Sequence, residues 1–174
     1  DIDTGKPVAL LNATRLTDMR TGAAGAVAAK YLAPKPDIVL GLIGSGRQAE
    51  AQLEAVSEVC ALQEFRVWSR DEKNAEALIS RYPQYEGKTG SLETVCDCDV
   101  LCTTTPSRTP IIRDSWIREG THINAIGADA PGKQELDPAI LLRAGVFIDD
   151  YAQATHSGEI NVPVSEGLYD PALI

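Results

Sequence analysis

The chain has 174 residues, 44% of them apolar, and a formal charge of −9 at neutral pH. That length supports one domain with a real core, and the acidic balance argues against nonspecific nucleic-acid or anionic-membrane binding, both of which need a basic surface. No apolar run is long enough to cross a bilayer, and residues 1–20 show no basic start followed by a hydrophobic stretch, so nothing points to export and a small-molecule ligand is expected.

Asp1 to Asn12 reads as a turn followed by a short strand, Val8–Leu11. A start in mid-strand without methionine reads as a piece of something longer. Thr17 to Leu32 reads as a helix that Thr17 could cap. Its glycines and alanines suggest close helix packing. Arg20, in the first turn of that helix, opposes the helix dipole; it is either an anion-binding group for a carboxylate or phosphate, or a plain surface arginine.

Pro34 to Asp37 ends the helix, and Ile38 to Ile43 has the length and β-branched content of a buried parallel strand. It breaks at Gly44-Ser45-Gly46-Arg47-Gln48-Ala49, a Gly-x-Gly-x-x-Ala turn, before helix-forming Glu50 to Val59. Gly44 permits the turn, Gly46 lets the backbone approach a pyrophosphate, and Ala49 lets the helix pack close to the strand. Unpaired N–H groups at the helix start would face that phosphate.

Phe65–Ser69 reads as the second strand. Dinucleotide folds place an acid at its end, roughly 20 residues past the glycines, to hold the ribose 2′-hydroxyl of NAD. Ser69 and Arg70 stand there instead, and they can bind a 2′-phosphate, so the local chemistry leans towards NADP. Asp71 keeps NAD open, because a one-residue shift of the strand end would supply the acid. A solvated arginine at a helix start is the alternative for Arg70.

Asp71–Tyr82 reads as a helix, Tyr85–Thr89 as a short strand and Ser91–Cys96 as a short helix. Asp99 to Ser107 is a fourth strand running into a polar turn. In a doubly wound sheet the first and fourth strands are neighbours, so Thr103, Thr104 and Thr105 should face the glycine turn, where their hydroxyls could meet cofactor ribose or nicotinamide. Threonines also simply suit strands. Thr121–Ile126 is a fifth strand ending at the same crevice, with Ile126, Gly127 and Ala128 at its tip. Asp129 is the carboxylate this topology brings beside the nicotinamide end, and a carboxylate in reach can move protons to or from a substrate amine. Lys133 would neutralise it or bind cofactor. A helix from Asp137 to Arg143, a sixth strand at Val146–Asp150 and small helices over Tyr151–Ile174 complete the reading.

Cys60, Cys96, Cys98 and Cys102 do not read as a metal site. Cys96-x-Cys98 followed by Cys102 lacks zinc-knuckle spacing, and only His122 and His156 are available elsewhere. They read as reduced thiols, Cys102 as a small apolar strand residue, which favours a cytoplasmic setting. The expected fold class is α/β, a doubly wound, mostly parallel Rossmann sheet with helices on both faces.

At Arg20-Thr21-Gly22-Ala23-Ala24, Gly44 to Ala49, Thr103 to Ser107 and Gly120 to Asp129, the chain resembles the ornithine cyclodeaminase/mu-crystallin family; Gly127 to Asp137 looks most like the archaeal alanine dehydrogenases within it. The resemblance implies NAD(P)-dependent chemistry at the α-carbon of an L-amino acid. It places Arg20 on the substrate carboxylate, Thr21 on the cofactor, Arg47 and Gln48 around the pyrophosphate, Asp129 as the catalytic aspartate and Lys133 at the cofactor. Ser45 belongs to the same cofactor set. It also implies a homodimer and an N-terminal substrate and dimerisation domain. On that footing residues 1–16 are a remnant of that domain, 17–150 the cofactor domain, and 151–174 the start of the return segment. Three functions remain open: an amino-acid dehydrogenase, an ornithine cyclodeaminase that borrows and returns a hydride, and a noncatalytic NADPH-binding protein of the crystallin type.

Overall fold

Residues 1–174 are described by a computed structural model. Five strands, β1 (Asp37–Ile43), β2 (Ala61–Trp68), β3 (Gly87–Thr89), β4 (Val100–Thr103) and β5 (His122–Ala125), pair in parallel in the order β3-β2-β1-β4-β5. Alternate residues of a strand point to opposite faces, and β1 is covered on both of them. Ile38, Leu40 and Leu42 join Ala49, Leu53 and Val56 of α2 (Arg47–Ser57) on one side, and Ile43 joins Val95, Cys96 and Leu101 on the other. A central parallel strand buried on both faces has to be apolar throughout, which is why this stretch reads as an unbroken hydrophobic run.

Helix α1 (Thr14–Leu32) lies across α2 on the first face. A Cβ on Gly22 would stand 2.6 Å from the Ala51 carbonyl oxygen, and one on Gly25 would overlap the Gln52 side chain, so the small residues serve close packing as expected. α3 (Glu72–Ser80) adds Ala75 and Leu78 to that face; α4 (Leu92–Cys96) and α5 (Pro138–Arg143) cover the other. The short helices α6 (Tyr151–Ser157) and α7 (Asn161–Ser165) come last in the chain.

Four sequence expectations are corrected. Val8–Leu11 forms no strand: Val8, Leu10 and Leu11 are exposed and no sheet edge reaches them. β-propensity expresses itself only where a neighbour supplies the ladder. Val146–Asp150 forms no sixth strand either, because Val146 packs instead against Leu141, Ile160 and Tyr169 beneath the C-terminal helices. Thr17 does not cap α1. The helix begins at Thr14, its N-cap is Ala13 with no side-chain cap, and the Thr17 N–H donates to the Ala13 carbonyl, 2.8 Å. Arg20 consequently lies nearly two turns inside the helix, where the dipole argument used for it no longer applies.

Candidate functional site

β1 ends at Ile43 between Trp68 of β2 and Thr103 of β4. Here the strand order reverses, and an open α/β sheet leaves a ligand crevice at such a point. The turn out of β1 is tied to both neighbours: the Gly44 N–H donates to the Trp68 carbonyl (2.8 Å), and the Thr104 N–H and hydroxyl both donate to the Ile43 carbonyl (2.9 and 3.0 Å). Gly44 has φ +111°, and a Cβ there would stand 2.5 Å from Thr104 Oγ1.

Gly46 differs in kind. It is the N-cap of α2 at φ −82° and ψ −173°, an extended conformation open to any residue, and a Cβ on it would meet nothing within 4 Å. Its own chain therefore does not require glycine. The open step leads directly to the first N–H groups of an 11-residue helix, which is the shape and chemistry that fit the pyrophosphate of a dinucleotide. Ser45 donates to Ser69 Oγ (3.0 Å), joining the glycine turn to the end of β2. Arg47 and Gln48 are both held by Asp18 of α1, through an Nε–Oδ2 ion pair of 3.8 Å and an Nε2–Oδ1 hydrogen bond of 3.0 Å. Gln48 Oε1 is buried with no partner in the fold, an acceptor available to a ligand donor.

On the β2 side, Trp68, Ser69, Arg70, Thr89 and Ser91 line a cavity of about 350 Å³. Arg70 is exposed and makes no ion pair or hydrogen bond, whereas the Asp71 carboxylate accepts the Lys73 N–H (3.1 Å) as the cap of α3.

On the β4–β5 side the three threonines are used inward. Thr103 is fully buried, Thr104 bonds to β1, and the Thr105 hydroxyl and N–H both donate to Glu135 Oε1 at 2.7 Å. The Thr104 and Thr105 hydroxyls, expected to meet a cofactor, instead stitch the floor of the crevice, and the buried Thr103 hydroxyl has no partner in the fold. Gly127 is likewise a packing glycine, since its N–H is shared between Thr103 O and Glu135 Oε2 (both 3.0 Å) and a Cβ would overlap Glu135. The Ile126 N–H donates to Thr103 O (2.9 Å), and Ala128 is buried.

Asp129 projects into solvent at 71% side-chain exposure, paired with Lys133 one helical turn's spacing further on. The loop between them is gripped from behind. Asn161 Oδ1 accepts the Gly132 N–H and its Nδ2 donates to Lys133 O, both 2.9 Å. Glu159 accepts the Glu135 and Leu136 N–H groups at 2.9 and 2.7 Å. Burial pushes the Glu159 carboxyl up to about 8, against the pull of those two N–H donors. Burial also raises the Glu135 carboxyl, opposed by Thr105 and Gly127.

Arg20 is exposed and unpaired on α1, and Thr21 beside it is half-buried, its carbonyl accepting from Gln52 Nε2 (3.0 Å). Gln52 is fully buried and belongs to a polar chain in which Asn124 Nδ2 donates to Gly25 O (3.0 Å) and reaches Gln52 Oε1 (3.4 Å), while His122 Nε2 contacts Asn124 Oδ1 (2.8 Å). Burial pushes the His122 imidazole below its ordinary value. All four cysteines are buried free thiols, and burial pushes Cys96 and Cys102 up to about 12. Sequence reasoning missed Asp18, Gln52, Glu135, Glu159 and Asn161. Only Gln52 carried a readable signal, a polar residue on the Ala49, Leu53, Val56 stripe of α2.

The strand order, the open glycine step and the crevice define a Rossmann-type α/β domain. The sequence profile of the ornithine cyclodeaminase/mu-crystallin family matches residues 1–171, and the chain belongs to that family. It is 52% identical over 169 residues to an alanine dehydrogenase of Archaeoglobus fulgidus, matching 95% of this chain and 52% of that protein. A solved archaeal alanine dehydrogenase dimer with bound NAD superimposes with a TM-score of 0.95 at 48% identity, covering 99% of this chain and 54% of that one. The Δ1-pyrroline-2-carboxylate reductase of Thermococcus litoralis, solved with NADH and L-proline, gives 0.92 at 38% identity, covering 100% and 56%. The chain spans about half the length of these relatives. No helix is long and apolar enough to cross a membrane.

Proposed function

We propose that the full-length protein is an NAD(P)-dependent oxidoreductase of small L-amino acids, oxidatively deaminating its substrate in the manner of an alanine dehydrogenase. The observation that carries the reading is the Gly46 step: an open, side-chain-free approach to the α2 N-terminus at the switch point of a doubly wound sheet. Family membership and the NAD- or NADH-bound relatives support it. A bound nicotinamide ring would supply the hydride acceptor.

The chain's own residues supply the rest. Backbone N–H groups at the start of α2, with Arg47 and Gln48, bind the pyrophosphate. Ser69 and the unpaired Arg70 bind the adenosine ribose, and because the Asp71 carboxylate is engaged as a helix cap, the site favours the 2′-phosphate of NADP. Arg20 binds the substrate carboxylate as a guanidinium–carboxylate pair. Asp129 takes the proton from the substrate amine and from the attacking water, and Lys133 holds its carboxylate in place. The products are a 2-oxo acid and ammonia, and the active form is a homodimer.

The test is to give the full-length protein L-alanine or L-ornithine and measure nicotinamide absorbance and proline together. Reduced cofactor accumulating without proline supports the dehydrogenase. Proline formed with no net reduced cofactor identifies a cyclodeaminase, and cofactor binding with neither product identifies a noncatalytic binding protein.

A further inference from the structure

We propose that Glu135 is a positioning residue for the nicotinamide side of the crevice, a buried carboxylate that closes the Asp129 loop into a ring and fastens it to the end of β4. The inference rests on the dinucleotide-binding function proposed for this crevice. Glu135 is 0% exposed, and its two oxygens divide the work. Oε1 takes both Thr105 donors, beyond β4, while Oε2 takes the Gly127 N–H, beyond β5. The segment from Gly127 to Glu135 is thus pinned to itself at its two ends, with Asp129 in between.

Asp129 has only Lys133 as a side-chain partner, on the same loop. Its position relative to the crevice is therefore set by the ring and not by contacts of its own. A second tier holds the ring from outside: Glu159 accepts the N–H groups of Glu135 and Leu136, and Asn161 bridges Gly132 and Lys133. Neither glutamate has a cationic partner. Burying an unpaired carboxylate is costly, and a glutamine would be cheaper to bury. Only a carboxylate, however, offers acceptors to both sides: a glutamine oxygen would turn to the two Thr105 donors and leave its NH2 against the Gly127 N–H. In the doubly wound fold the β1–β2 half takes the adenosine mononucleotide and the β4–β5 half the nicotinamide one. Loss of the clasp is therefore felt on one side only.

The experiment compares the chain with its Glu135→Gln variant by amide hydrogen exchange, and by titration with NADPH, read by nicotinamide fluorescence, and with 2′,5′-ADP. Glu135→Gln speeds exchange at Gly127 to Asp129 by up to about tenfold, the ceiling set by one lost hydrogen bond, because the Gly127 N–H loses Glu135 Oε2 and keeps Thr103 O, while Thr105 and the β1 amides keep their protection. The Kd for NADPH rises about tenfold and that for 2′,5′-ADP stays within about twofold. Unchanged loop exchange overturns the inference, as does equal weakening of both ligands, which would mark a general loss of structure. Should the unaltered chain bind neither ligand, the dinucleotide reading fails, and the exchange pattern alone decides whether Glu135 closes the loop. Should Glu135→Gln not fold, Glu135→Asp, one methylene short but still charged, is expected to release the same Gly127 end.

Discussion

Two glycines separated by one residue respond to the same added methyl group in opposite ways. At Gly44 the backbone is at φ +111° and the new Cβ stands 2.5 Å from Thr104 Oγ1. Gly44→Ala thus loses about 1–3 kcal/mol to backbone strain, and more to the displaced Thr104 bond with Ile43. At Gly46 the conformation suits any residue and the Cβ has no neighbour within 4 Å. Gly46→Ala therefore gains about 0.4–1 kcal/mol through a less flexible unfolded chain and loses a similar amount because alanine is a poorer N-cap than glycine, so its stability stays within about 1 kcal/mol of the unaltered chain. The same methyl group stands where a pyrophosphate must approach the helix N–H groups. Losing one charge-assisted hydrogen bond there, about 1.5–3 kcal/mol, weakens NADPH binding roughly 10- to 100-fold. Urea unfolding and calorimetric titration on both variants read the two quantities separately. Gly46→Ala unfolding as easily as Gly44→Ala would show that the step is occupied by the protein itself. Undiminished binding by a stable Gly46→Ala would show that no phosphate comes there.

The same geometry makes three further outcomes testable. Asp129→Asn in the full-length protein leaves cofactor Kd nearly unchanged and lowers turnover about 10²-fold or more, the scale of acid–base contributions; turnover at the original rate would remove Asp129 from the chemistry. Arg70→Ala, at an exposed residue with no partner to lose, weakens NADP by about 1.5–3 kcal/mol and leaves NAD nearly unchanged; parallel losses measured for the two cofactors would point to damage at the end of β2. Glu159 makes stability fall as pH rises, because its carboxyl is raised from 4.5 to about 8 on folding and the folded state holds the extra proton between those values. His122, lowered from 6.5 on folding, acts with the opposite sign below 6.5. Between 6.5 and 8 the difference between the unaltered chain and Glu159→Gln, which share His122, therefore reports the carboxyl contribution. There the urea midpoint of the unaltered chain declines with pH and that of Glu159→Gln declines less; parallel slopes would show that Glu159 ionises freely in the fold.

What could be read from the sequence was what neighbouring residues decide among themselves. The run Ile38 to Ile43, its break at Gly44 and the helix beyond Gly46 required no partner distant in the chain, and the parallel order of the first and fourth strands came with them. The expected strands at Val8–Leu11 and Val146–Asp150 failed for the converse reason: each has strand-forming residues, but a ladder needs an edge, and the edges lie elsewhere. The threonines at the end of β4 were placed correctly along the chain and wrongly in direction. Thr105 is turned inward by Glu135, 30 residues later, and Thr104 by the Ile43 carbonyl.

The same distinction separates the two halves of the crevice. The phosphate side is made by one turn and one helix start, so a local pattern specifies it. The side carrying Asp129 is made by long-range polar contacts, from Glu135 to Thr105 and Gly127 and from Glu159 and Asn161 to the loop, with Asn124 reaching Gly25 across 99 residues to seat α1 against β5. A buried carboxylate without a cation is tolerable only while its N–H donors stay in place. The acid loop therefore takes its shape from partners far along the chain, whereas the glycine turn takes its shape from its own strand and helix and is then tied to β2 and β4. Substitutions that loosen the C-terminal segment should accordingly reach Asp129 before they reach the phosphate cradle.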